Sequence, residues 1–125
     1  MELRRYRKNY HLEPETVNAG AFVAFWAGDK YVHGLDRAGV VWLLTGGHTL
    51  KEIEANTTGL TRIHRRTLIR LPAIEHFGSL PCGGHRAVCT VGGREFLVSR
   101  QCRPKVQALH KAHVAAQGHT NGEAA

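Results

Sequence analysis

The sequence predicts a mostly β fold: an elongated sandwich of short antiparallel sheets, with one short internal helix and a C-terminal helix. Three observations lead there. Turn signals recur about every ten residues, at Gly28-Asp29, 36–39, Gly46-Gly47, Gly59, Gly83-Gly84 and Gly92-Gly93. Short β-branched or aromatic runs fill the intervals between them. Only two stretches, near residues 49–56 and from Pro104 onward, carry helix-starting chemistry.

Taken in order, residues 1–16 read as a basic N-terminal arm, 17–117 as the folded domain and 118–125 as a disordered tail. Strands are expected at 21–26 (AFVAFW), 30–36 (KYVHGLD), 40–44 (VVWLL), 61–64 (TRIH), 67–71 (TLIRL), 73–77 (AIEHF), 86–91 (RAVCTV) and 94–99 (REFLVS). The VGGRE stretch reads as a tight hairpin, because paired glycines tolerate the positive φ of such turns. In TLKEIEAN, Thr49 is an N-cap with Glu52 three residues on, and Leu50 and Ile53 share one face. The last helix opens at Pro104, a residue suited to the first turn. Val106, Leu109, Ala112, His113 and Ala116 line one stripe, and Gly118 offers a stop.

Charge narrows the function. Lys and Arg number 17 against 10 Asp and Glu, a formal net charge of +7, and a field of that sign attracts polyanions. The cations cluster at 4–8, 62–70 and 94–111. No run of the roughly 18–20 apolar residues a membrane span requires is present, and the basic start lacks the apolar core of a secretory signal. A cytoplasmic protein is expected. Three widely spaced cysteines without a CxxC pair argue against a disulfide framework.

The stretch LTRIHRRTLIRLPAIEHF (60–77), followed by a hairpin and FLVSRQCRPKVQAL (96–109), resembles the LytTR-type DNA-binding domain of bacterial transcriptional regulators. The motif residues are Arg62, Ile63, His64 and Arg65, then Val98, Ser99 and Arg100. Upstream, FWAGDKYVHGL (25–35) is similar to the family's first strand, loop and strand, and TLKEIEA (49–55) to its short helix. The match in order and spacing runs from about residue 17 to 109. Four positions depart from the pattern: Arg66 stands for Ser, Arg70 for Asn, Leu60 for an aromatic residue and Trp26 for a polar one. Both substitutions to Arg add charge and are expected to favour phosphate affinity.

The resemblance implies sequence-specific binding of double-stranded DNA as an output domain without a receiver, since the residues before 17 are too few to hold one. Family members reach the major groove from loops at strand ends and usually occupy direct repeats as two copies, so a homodimer on DNA is compatible with it. By motif position, Lys30, Arg65 and Arg100 are candidate base contacts, with Asp29 able to accept from cytosine. Arg62, His64, Arg66, Ser99, Arg103 and Lys105 are candidate phosphate contacts. Arginine suits both tasks, because its planar fork pairs bidentately with guanine O6 and N7 and also neutralises phosphate.

Other readings compete. Arg62 also fits an outward strand position, His64 a buried hydrogen-bonded one, and Arg70 an ion pair with Glu75. Tyr31 and Trp26 fit core or support roles better than base-stacking platforms. Cys82, His85, Cys89 and Cys102 lack the knuckle that fixes two zinc ligands, so no metal is expected. No nucleophile with a placeable base and no phosphate-binding Gly loop is present. An enzyme is not expected, nor a cofactor. An RNA or single-strand binding module, or a protein-interaction modulator of a full-length regulator, is the alternative.

Overall fold

The computed structural model describes residues 1–7, 13–79 and 87–124, with residues 79 and 117–124 described by backbone only. Among the described residues, ten strands form two antiparallel sheets. The strands are β1 (Glu2–Tyr6), β2 (Glu15–Asn18), β3 (Phe22–Ala27), β4 (Val32–Asp36), β5 (Val41–Thr45), β6 (Leu60–His64), β7 (Thr67–Arg70), β8 (Ile74–Ser79), β9 (Ala87–Val91) and β10 (Arg94–Val98). Helix α1 spans Leu50–Asn56 and α2 spans Arg103–Ala124. The larger sheet has seven strands in the order β2-β1-β5-β4-β3-β7-β6; the smaller has three, β10-β9-β8. The mostly β sandwich with two helices is thus the observed fold.

Two cores lie on opposite faces of the larger sheet. On one face Val23, Ala24, Leu35, Ile63 and Ile69 pack against Ile74, Cys89, Val91, Phe96 and Val98 of the smaller sheet and Val106 of α2. On the other, Leu3, Phe22, Phe25, Leu44 and Leu68 pack against Leu50 and Ile53 of α1. Alternation along β7 sends Leu68 to one core and Ile69 to the other. In β3 a bulge between Phe22 and Ala24 interrupts the alternation. That is why Val23 and Ala24 enter the same core while Phe22 and Phe25 share the opposite one.

Local chemistry accounts for the connections. Thr49 caps α1, its hydroxyl accepting from the Glu52 N–H at 3.2 Å. The β9–β10 turn places Gly92 at φ 59° and Gly93 at φ 77°, as a two-residue hairpin turn demands. In the β4–β5 turn the Asp36 carboxylate accepts from the N–H groups of Ala38 and Val40 and from Trp42 Nε1, all within 2.9 Å.

Three expectations are corrected. Residues 2–6 and 15–16, assigned to an arm, lie in strands of the larger sheet: β1 pairs with both β2 and β5. Leu3, 1% exposed, anchors them by burial in the second core. Helix α2 runs past Gly118 to Ala124, so residues 118–124 carry helical backbone where a disordered tail was expected; each of its two glycines, Gly118 and Gly122, costs a helix only about 1 kcal/mol. The charge that Arg70 was expected to add for phosphate affinity is turned inward. Its guanidinium donates to the carbonyls of Phe22 (2.9 Å), Thr58 (3.2 Å) and Ala19 (3.3 Å). Nor does it pair with Glu75, whose carboxylate accepts from the Gly93 N–H. Cys82 and His85 lie outside the described residues, and among those described no His, Cys, Asp and Glu group has metal-binding geometry.

Candidate nucleic-acid interface

Strands β3, β5 and β6 all finish at one end of the larger sheet, and the loops that follow them meet there. The β3–β4 loop closes on itself through the Gly28 N–H, which donates to the Tyr31 carbonyl at 2.8 Å. A Cβ at Gly28 would stand 2.5 Å from His33 Cε1 and 3.2 Å from the Tyr31 carbonyl oxygen, so a side chain there requires the His33 ring to shift. The Ala27 N–H donates to the Arg66 carbonyl at 2.9 Å, tying this loop to the β6–β7 turn. Arg65 and Arg66 form that turn and both are exposed.

The turn is held from several directions. Arg62 donates from Nη1 to the Arg65 carbonyl at 2.7 Å. Its Nε and Nη2 donate to Glu54 Oε1 on α1, at 3.3 and 3.2 Å. The Arg66 N–H donates to His64 Nδ1 at 3.2 Å. Arg62 sits at a bulge of β6, where pairing jumps from Arg62–Leu68 to His64–Thr67.

An open cleft of about 730 Å³ lies between these loops. Lys30, Arg62 and Arg65 line it, with Asp29 and Tyr31 from the β3–β4 loop, Gly46 to Thr49 from the β5–α1 connection, and Leu50 and Lys51 from α1. His48 and Lys51 are additions that motif spacing did not single out; the only signal was the TGGH turn before the helix. His48 Nδ1 stands 3.4 Å from Glu52 Oε2. Tyr31 is 44% exposed and meets Tyr6 edge-on at 6.2 Å.

The second motif arrives beside the first. The Ser99 N–H donates to the Ile63 carbonyl at 2.9 Å, joining the end of β10 to β6. Ser99 then turns the chain into α2: its hydroxyl accepts from the Cys102 N–H at 3.2 Å and its carbonyl from the Arg103 N–H at 2.9 Å. Arg100 is exposed on this turn, Lys105 is exposed on the first turn of α2, and Arg103 is half-buried. Fully buried Val106 fixes the start of the helix to the core. Arg65 and Arg100 therefore lie two residues beyond Ile63 and one residue beyond Ser99, the two residues joined by that bond. Among the described residues, neither guanidinium enters an ion pair. Trp26 is a support residue: it stacks on His33 at 5.4 Å, contacts Phe96 at 5.4 Å and carries Arg94 over its ring at 4.6 Å.

The arrangement brings Lys30, Arg62 and Arg65 into one cleft and ties the Ser99–Arg100 turn to the strand that leads to Arg65. His64 and Arg66 line a smaller groove of about 290 Å³ on the other flank of the turn, with Trp26, Arg94 and Phe96. No described helix is long and apolar enough to cross a membrane.

No family model and no curated protein matches the chain. Among solved structures, a domain from Bacillus cereus described as the LytTr DNA-binding domain of a response regulator superposes with a TM-score of 0.65. The alignment covers 87% of this chain and 96% of that one, at 14% identity. The fold is therefore that of a LytTR-type DNA-binding domain.

Proposed function

We propose that this chain binds double-stranded DNA sequence-specifically, as the output domain of a bacterial transcriptional regulator. The observation that carries the reading is the cleft at one end of the sheet lined by Lys30 and Arg65, with the Ser99–Arg100 turn bonded to the strand that leads to Arg65. The described domain of Bacillus cereus supports it by shared fold. In this reading Lys30, Arg65 and Arg100 read base edges in the major groove, where each bidentate arginine is worth about 1–3 kcal/mol of discrimination. Arg66, Ser99, Arg103 and Lys105 engage phosphates and set position. Two copies occupy direct-repeat half-sites.

The test is an anisotropy titration against duplex DNA, single-stranded DNA and RNA over a salt series. Duplex binding gives a log K that falls with log salt at a slope near −0.9 per phosphate contacted. Arg65→Ala and Arg100→Ala flatten the preference among duplex sequences, whereas Arg66→Ala and Lys105→Ala weaken all duplexes alike. Tighter binding to single strands or RNA than to every duplex overturns the proposal.

A further inference from the structure

Arg62 and His64 hold the two ends of one chemical unit. The Arg65 carbonyl and the Arg66 N–H belong to the same peptide group, which is planar because its C–N bond has partial double-bond character. Arg62 Nη1 donates to the oxygen of that plane at 2.7 Å. His64 Nδ1 accepts from its nitrogen at 3.2 Å. With both polar ends engaged, the plane cannot swing about its flanking bonds. Its orientation sets ψ of Arg65 and φ of Arg66, and hence the direction in which each side chain leaves the turn.

The clamp has an outer anchor. The remaining nitrogens of Arg62 that face α1, Nε and Nη2, both donate to Glu54 Oε1. The side chains of Arg62 and Glu54 are 28% and 38% exposed, so water screens the pair only partly. A planar guanidinium suits this bridging task, since it offers donors in fixed directions to two acceptors at once. A lysine has a single nitrogen for both.

We propose that Arg62 and His64 are positioning residues that clamp the Arg65–Arg66 peptide, with Glu54 as anchor, and so determine sequence discrimination by DNA. The inference rests on the duplex-binding reading but assigns these residues a role other than phosphate contact. A duplex-facing arginine held in this way loses less conformational freedom on docking than one on a free turn. Glu54, an acidic residue on a helix that reads no base itself, becomes a specificity determinant through Arg62.

Two measurements test it. The first compares a duplex selected from a randomised pool with a scrambled duplex of the same composition, for wild type, Glu54→Gln and Arg62→Lys. The clamp predicts that both variants lose roughly tenfold of the preference while affinity for the scrambled duplex holds within about twofold. A phosphate role gives another pattern: Arg62→Lys keeps the preference, and Glu54→Gln tightens both duplexes by removing a repelling charge. Either result overturns the clamp. The second measurement needs no DNA. Hydrogen exchange of the Arg66 amide speeds up in His64→Ala, while the amides of Phe25 and Leu68 in the core keep their rates. An unchanged Arg66 rate overturns the clamp as well. If His64→Ala does not fold, exchange in Arg62→Lys, which keeps charge and bulk, replaces it. Wild type that prefers no duplex would overturn the function proposed above, and the exchange result would still decide the clamp.

Discussion

At the scale of single residues, one chemical type does opposite work depending on what the fold puts beside it. Arg65 and Arg100 present exposed guanidinium groups, whereas Arg70 donates to three backbone carbonyls at the junction of β3, β7 and the segment after α1. Burial, followed by the nearby Arg37 charge, lowers the Arg70 pKa from its ordinary value. Arg70→Ala strips partners from those carbonyls. It is expected to lower unfolding free energy by about 1–3 kcal/mol, read by urea denaturation, without altering duplex preference. In LTRIHRRTLIR these arginines look alike, because nothing in a spacing of five residues tells which one meets carbonyl oxygens. Cys89 makes the same point. Burial pushes its thiol up to about 12, so it is an inert core residue, though in sequence it stood within reach of a metal-like cluster.

At the scale of elements, the signals with a local cause were legible. The cap at Thr49, the Gly92-Gly93 hairpin and the strands from 22 to 98 each follow from chemistry within a few residues. The β4–β5 turn is another such unit, and it carries a pH dependence. Burial alone raises the Asp36 pKa, but hydrogen bonds from Trp42, Val40 and Ala38, with the Arg5 charge, outweigh it and hold the group below its ordinary 3.8. A carboxylate lowered in this way stabilises the fold fully above its unfolded value and loses that contribution as pH falls through the lower folded value. The acid limb of the stability curve is therefore expected to include Asp36, beginning near pH 3.8 and extending below it. Asp36→Asn should make that limb shallower in thermal melts taken across this range.

At the scale of the whole molecule, the N-terminal strands were the element least visible in sequence. ELRRY offers a single buried apolar residue, Leu3, among charges, and its partners at 15–18 and 43–45 are remote along the chain. What makes it a strand is the edge of β5 and the core above it. Leu3→Ala should cost about 2–5 kcal/mol, seen as a lowered midpoint in chemical denaturation. That cost would be out of place for a solvated arm.

The sequence by itself determined the class of fold, the order of most strands, both helix starts and the two arginine-bearing motifs, because each rests on side-chain alternation or on bonds between near neighbours. Tertiary structure decided which cations stay available, that Arg62 and His64 grip one peptide, that Glu54 stands behind them, and that residues 2–6 join the sheet. All of these depend on groups brought together from separate elements, and their distances are fixed only once the sheets have packed on their shared core.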